Sequence, residues 1–256
     1  MFQSVTAPTT LNAENPIAVM QRFELKYILD RRQRAALLKA MRGRMEADQF
    51  GLTTIATLYY DTPDRQLIRA SLDKPDFKEK LRLRSYGQAK TDSPVFLELK
   101  RKALGTVYKR RVQTTLEAAA DFLRGGEGSL EDGQISRELR FFRDHYGKLQ
   151  PSCLIIYDRT AYVETDGDLR LTIDANPRYR VRDLDLTHSM EGIPLLEEGA
   201  AVLELKVQSA MPLWLTRALS EAHIYKTSFS KYGEAYRREL LRAQAPEPCP
   251  KAAKTA

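Results

Sequence analysis

The 256-residue sequence has little of what builds disulfide or thiolate-metal sites. It holds two cysteines, Cys153 in an apolar run and Cys249 in a proline-rich tail. That excludes a disulfide framework and a cysteine-metal cluster, and suits a reducing compartment. Its three histidines, His145, His188 and His223, lie far apart and share no ligand spacing, which argues against zinc. No apolar run approaches the length of a membrane span. The polar N-terminus has no apolar core of a signal peptide, so a cytoplasmic protein without a transmembrane segment is expected.

What is present is apolar residue and positive charge. Hydrophobic residues make up 43%, enough for a sizeable core, and charged residues make up 29%. The net charge is +7, so nucleic acid, anionic lipid and phosphorylated small molecules are all chemically suitable partners. The polar lead (1–17) and the tail "QAPEPCPKAAKTA" (244–256) are expected to be flexible. No linker interrupts the residues between them, so 18–243 is expected to form one domain.

Alternation and turn signals predict strands at 19–29, 54–61, 78–87, 93–102, 106–114, 152–164, 168–175 and 200–209. Helices are predicted at 30–41, 115–124, 134–146, 212–222 and 230–243. Asp30 is the candidate N-cap of the first, and Pro212 suits the first turn of the fourth. Asp166-Gly167 marks a hairpin turn. "YYDTPD" (59–64) reads as a turn, although Asp61 could lie near a metal. Arg31, Arg32, Arg34, Arg237 and Arg238 read as solvated helix faces, and Trp214 as helix packing.

The strand faces carry the main signal. Residues i and i+2 of a strand share a face. The word Leu-Glu-Leu-Lys occurs at 97–100 and again at 203–206, and Phe-Glu-Leu-Lys at 23–26. In each, glutamate and lysine share one face and large apolar residues the other. Arg82 and Arg84 share a face, as do Arg170, Thr172 and Asp174, and Tyr157 and Arg159. One such strand is the ordinary pattern of a half-buried antiparallel sheet. Taken together the strands differ from that pattern. Long cations interleave with carboxylates, Ser, Thr and Gln are scarce, and arginine dominates where planar oxyanions would be gripped. A closed or nearly closed barrel with this face inside explains the pattern. Its interior must be wet, because isolated buried charges are very costly. Its excess of cations calls for a polyanionic ligand.

The motifs "RFELKY", "LYYDTP", "KLRLRSYG", "FLELKRK", "YKRR", "YDRTAY", "LRLTID", "VLELKV" and "SFSKYGEAY" follow one another along residues 20 to 240. In this order they resemble the vacuolar transporter chaperone (VTC) domain, a polyphosphate-polymerase domain of the triphosphate tunnel metalloenzyme superfamily, which also holds the CYTH-type triphosphatases. The "SKYG" ending favours VTC over CYTH. The resemblance implies an α+β fold, a closed antiparallel β-barrel tunnel of about eight strands with a charged interior and helices outside. It implies that Lys26, Arg82, Arg84, Lys100, Lys109, Arg159 and Arg170 line the tunnel and bind the triphosphate and the growing chain. Lys206 shares a strand with Glu204, which matches a metal-binding glutamate. Glu24 and Glu98 are the candidates to join Glu204 at the metal. Ser230 and Lys231 match a phosphate-contacting pair, and Tyr157 a tunnel tyrosine. The register at Lys109 is open, because Arg110 and Arg111 adjoin it.

A divalent metal, Mn²⁺ or Mg²⁺, suits the oxygen ligands. Phosphoryl transfer needs positioning and charge neutralisation above all. In chain extension the attacking phosphate oxygen is already anionic, whereas hydrolysis is helped by a base. No histidine lies near any motif, which leans toward a polymerase that moves the terminal phosphoryl group of a nucleoside triphosphate, ATP first, to polyphosphate. A metal-dependent triphosphatase and a non-catalytic polyanion-binding module remain as alternatives. The start of the last helix, 228–231, is either a phosphate site or an ordinary serine cap. The interleaved carboxylates argue against a nucleic-acid partner.

Overall fold

In the computed structural model the residues described are 23–244, apart from 74, 105, 127–129 and 208–209. Most of the expected lead and tail lie outside them. The elements run β1 (Phe23–Leu29), α1 (Arg31–Met41), β2 (Met45–Asp61), α2 (Gln66–Leu72), β3 (Phe77–Tyr86), β4 (Val95–Ala103), β5 (Thr106–Thr114), α3 (Leu116–Arg124), α4 (Gln134–Tyr146), β6 (Gln150–Glu164), β7 (Arg170–Arg180), β8 (Ile193–Pro194), β9 (Ala201–Val207), α5 (Leu213–Glu221), β10 (Lys226–Thr227) and α6 (Lys231–Gln244).

The strands form one ten-stranded sheet, ordered β10-β1-β9-β7-β6-β2-β3-β4-β5 with β8 on β7. Every described pairing is antiparallel. The expected closed barrel is therefore corrected. β5 at one end is not paired with the strands at the other, and β10 takes part of the outer edge of β1 through Lys26↔Thr227 and Tyr27↔Lys226. The sheet is nonetheless rolled. Glu24 of β1 lies 3.6 Å from Lys100 of β4, a strand far along the order. Side chains, rather than a backbone ladder, span the roll.

Alternation sorts each strand as its sequence requires. The convex face buries Leu81, Leu83, Leu97 and Leu99 with Ala119 and Phe122 of α3 and Leu139 and Phe142 of α4. Farther round it buries Leu171, Leu203 and Leu205 with Leu37 of α1 and Leu215 of α5. Burial of this apolar surface is what holds the helices on, at about 25 cal/mol per Å². The concave face carries an apolar cluster where Ile55, Ile155 and Tyr157 meet Ile68 of α2 and Tyr232 and Ala235 of α6. Much of the remainder is charged.

Local signals explain several boundaries. Asp30 and Gln33 form a capping box at α1. Pro212 stands immediately before α5, its carbonyl accepting from Leu215 N–H at 3.0 Å. β2 runs nine residues farther toward the N-terminus than its apolar segment suggests. That added part mixes polar residues with apolar ones, Met45 buried and Phe50 and Leu52 exposed, carries Gly51 at φ +55°, and has a register shift between Ala47 and Leu52. α2 has no side-chain cap of its own at Arg65. The fully buried Asp61 serves instead, accepting from the N–H groups of Leu67 at 2.8 Å and Ile68 at 3.0 Å. Asp61 is thus a helix cap and not a metal ligand. Gly233 keeps the crossing of α6 over α2 close, since a Cβ there would stand 3.0 Å from Leu72 Cδ2 and press on that side chain. Arg31 and Arg32 are exposed, as a solvated face predicts. Arg238 is not merely solvated, because it donates to the carbonyls of Pro194 and Leu195 at 2.7 Å and so ties α6 to β8.

Candidate active site

Two carboxylate centres organise the concave charge. The first is Glu98 on β4, fully enclosed and flanked by β3 and β5. The register Arg82↔Glu98↔Arg111 sets all three on one rung. Arg82 Nε donates to Glu98 at 2.7 Å, Lys109 Nζ lies at 2.8 Å, Arg111 Nε at 3.5 Å and a terminal nitrogen of Arg84 at 3.7 Å. Burial alone would raise this carboxyl's pKa. Arg82, Arg84 and Lys109 overcome it and hold the group at about 2. Both Lys109 and Arg111 face Glu98. Arg110 faces outward to Glu138 of α4 at 2.9 Å, which fixes the open register of "YKRR".

The second centre joins β1, β6, β7, β9 and α6. Arg159 grips Asp174 with two hydrogen bonds, 2.6 and 2.8 Å, directly across the β6–β7 ladder. Lys231, at the start of α6, reaches Asp174 at 2.5 Å and Glu204 at 3.8 Å. Glu204 also meets Lys26 at 3.1 Å and Arg159 at 3.5 Å. Burial opposes ionisation of Glu204, but Lys231, Lys26 and Arg159 hold it far below the ordinary carboxylate range. Lys26 lies 3.4 Å from Glu24, which in turn reaches Lys100. Glu24 is likewise held down against its burial, by Lys100 and Lys26. The ring of Tyr157 lies beneath Lys231 at 4.6 Å and Arg159 at 5.2 Å, a cation–π pairing.

Ser230 is the N-cap of α6: its hydroxyl accepts from Gly233 N–H at 3.2 Å. The same oxygen meets Lys80 Nζ at 3.4 Å. Lys80 is pushed down to about 8 by burial and by the cations Lys100, Lys26 and Lys78, with Tyr59 acting the other way. Arg170 and Lys206 are rung partners on β7 and β9 and stand exposed. The structure thus groups Arg82, Arg84 and Lys109 around Glu98, and Lys26, Arg159 and Lys231 around Glu204. Lys100 and Glu24 bridge the two.

Residues outside the sequence-selected set complete the face. Alternation alone points to Lys80, two before Arg82, and to Arg111, two after Lys109. Asp174 was visible on the charged face but not as the anchor of two cations. Tyr59 carried no signal. Its hydroxyl accepts from Arg82 at 3.3 Å and its ring stacks on Tyr232 at 4.4 Å. Tyr232 donates to Asp61 at 2.9 Å, so "YYDTP" and "SKYG" meet in one contact chain.

Several buried polar atoms on this face lack a hydrogen-bond partner: Thr57 Oγ1, Arg84 Nε, Arg111 Nε and Thr172 Oγ1. Such atoms are costly unless something occupies the space they face. Cations on the face, among them Lys26, Lys80, Arg82, Arg84, Lys100, Lys109, Arg111, Arg159 and Lys231, outnumber the carboxylates Glu24, Glu98, Asp174 and Glu204. No group of three His, Cys, Asp or Glu among the described residues is placed to cage a metal alone. Glu24 and Glu204 flank one ammonium, a pair that fits an Mg²⁺-type ion completed by phosphate oxygens and water. Glu98, enclosed by four cations, does not.

The fold is a rolled antiparallel sheet with helices outside and a cation-lined concave face. The chain belongs to the VTC domain family, whose profile matches residues 21–239. No curated protein sequence matches it. Among solved structures, the adenylyl cyclase candidate HpAC1 from Hippeastrum, described as having a dominant triphosphatase activity, aligns with a TM-score of 0.53 at 18% identity. That match covers 86% of this chain and 96% of HpAC1. An adenylate cyclase candidate from Bacillus halodurans aligns with a TM-score of 0.50 at 15% identity, covering 81% of this chain and 92% of its own. At these identities the likeness is one of fold. No described helix is long and apolar enough to cross a membrane.

Proposed function

We propose that the protein is a polyphosphate polymerase, transferring the terminal phosphoryl group of a nucleoside triphosphate, ATP first, to the end of a polyphosphate chain. The observation that carries this reading is that each carboxylate of the concave face is held by cations. Glu24, Glu98 and Glu204 all have lowered pKa values, and Asp174 is gripped by Arg159 and Lys231. None is a good general base, which water would need and an anionic phosphate acceptor would not.

In the transfer, one P–O bond to the nucleoside diphosphate breaks and one P–O bond to the chain's terminal oxygen forms. The diphosphate leaves with the electron pair. Arg82, Arg84 and Lys109, preset by Glu98, neutralise the triphosphate. Lys26, Lys80 and Lys100 converge where the terminal phosphoryl group would sit. Lys231 and Arg159, steadied by Asp174 and Tyr157, orient the acceptor, and Ser230 holds Lys80. Arg170 and Lys206, exposed on neighbouring strands, guide the chain. A divalent metal, Mg²⁺ or Mn²⁺, held by Glu24 and Glu204 would offset charge on the phosphate oxygens when bound.

The test is to incubate purified protein with ATP and Mg²⁺ or Mn²⁺ and to measure long-chain polyphosphate and free phosphate. Polymer is the expected product. Free phosphate alone would replace this reading with a triphosphatase, and neither product would leave a polyanion-binding module.

A further inference from the structure

One end of the concave face changes character. Where β3 ends and β4 begins, charge gives way to Tyr86 and Phe96. Their rings meet edge to face with centroids 5.6 Å apart. Arg111 lies over Phe96, its guanidinium carbon 3.6 Å from the ring centroid, and over Tyr86 at 5.6 Å. It also donates to the Tyr86 hydroxyl at 3.0 Å. Tyr86 is 49% exposed, a large aromatic ring left open at a rim. A third of the Arg111 side chain is also open, 34%, while its Nε is buried and unbonded.

These three residues share the face that carries Arg82, Arg84 and Glu98, as i+2 alternation and the pairings Arg84↔Phe96 and Glu98↔Arg111 require. They therefore continue the cation ladder. From Arg82 to Tyr86 the strand advances about 13 Å, roughly the reach from the terminal phosphate of a nucleoside triphosphate to its base. A solvated sheet end needs no aromatic pair beneath a planar cation. A flat heterocycle does, because bases stack on aromatic and guanidinium planes.

We infer that Tyr86, Phe96 and Arg111 form a platform on which the base of the nucleoside triphosphate stacks, with Arg84 and Arg82 holding its phosphates in order inward. The inference rests on the triphosphate reading of the concave face and adds the nucleoside end to it. The triphosphate is set in one direction, with its terminal phosphoryl group toward Lys80, Lys100 and Glu24.

The test separates base from phosphate. The full chain is titrated calorimetrically, with Mg²⁺, against a non-hydrolysable imido analogue of ATP and against tripolyphosphate, which has no base. In Tyr86→Ala the analogue is expected to bind about tenfold more weakly, with tripolyphosphate affinity unchanged. Phe96→Leu, which keeps an apolar side chain in place, is expected to act in the same direction with a smaller loss. Equal weakening of both ligands, or no weakening of either, overturns the platform alone. A wild-type chain that binds neither ligand overturns the triphosphate reading and the platform with it.

Discussion

Glu98 and Glu204 stand in the same four-residue word and do different things. Glu98 is enclosed, with Arg82, Arg84, Lys109 and Arg111 gathered from its two neighbouring strands. Glu204 is 12% exposed and shares Lys26, Arg159 and Lys231 with Glu24 and Asp174. Their lysines also diverge. Lys100 reaches across the roll to Glu24, while Lys206 makes no ion pair among the described residues. The difference teaches that one carboxylate is a fixed counter-charge that presets cations. The other belongs to an exchangeable cluster whose partners a phosphate or a metal could take.

The largest expected effect is on the fixed centre. Glu98→Ala leaves enclosed guanidiniums uncompensated and is expected to destabilise the fold by about 3–5 kcal/mol in urea denaturation. Glu24→Gln, at a half-open site, is expected to change stability by no more than about 1 kcal/mol. Similar losses in the two variants would erase the contrast. The same asymmetry has a pH signature. Glu98's stabilisation is complete above the ordinary glutamate pKa, about 4.3, and is lost as pH falls through about 2. Wild type should therefore lose stability across that window more steeply than Glu98→Gln.

Next in size is the exchangeable cluster. Glu204→Gln is expected to lower metal-dependent turnover about a hundredfold or more while Asp174 keeps Arg159 and Lys231 in place. Full activity in that variant, assayed across a metal titration, would remove Glu204 from the metal's ligands. A smaller effect belongs to Lys80, which carries its proton below about pH 8 and loses it above. Tripolyphosphate affinity should fall as pH rises from 7 to 9, by up to about tenfold. In Lys80→Arg, where the charge persists, the fall should be flatter. Equal slopes would place Lys80 outside the site. The smallest effect is at the orphaned hydroxyl of Thr57. Thr57→Val should leave ligand-free stability within about 0.5 kcal/mol, because no hydrogen bond is lost, while weakening tripolyphosphate binding a few-fold. Markedly reduced stability without ligand would show that the hydroxyl is already used.

Much of the fold was legible because alternation is local. The leucines of both Leu-Glu-Leu-Lys words pack outward against helices, and the glutamates and lysines turn inward, as period two demands. α2 was not legible, because its cap, Asp61, lies outside the helix and belongs to a turn motif. The start of β2 has its apolar alternation broken between Ala47 and Phe50, and it is placed by pairing with β6 across a bulge. At the site, individual inward-facing cations could be named from their strands, but not their partners. Nothing near Tyr59 in sequence announces that it stacks on Tyr232 and meets Arg82.

The sequence by itself determined which side of each strand is charged, since a backbone with period two leaves no other choice once the leucines are buried. It also determined that the charged side is cationic in excess. Tertiary structure alone decided that the sheet rolls without closing, because β10 occupies part of the β1 edge and side chains span the gap. It alone decided that one glutamate word became an enclosed anchor and its twin part of an open cluster. That outcome depends on neighbouring strands: cationic β3 and β5 flank Glu98, whereas β1 and β7 bring Glu204 both cations and further carboxylates.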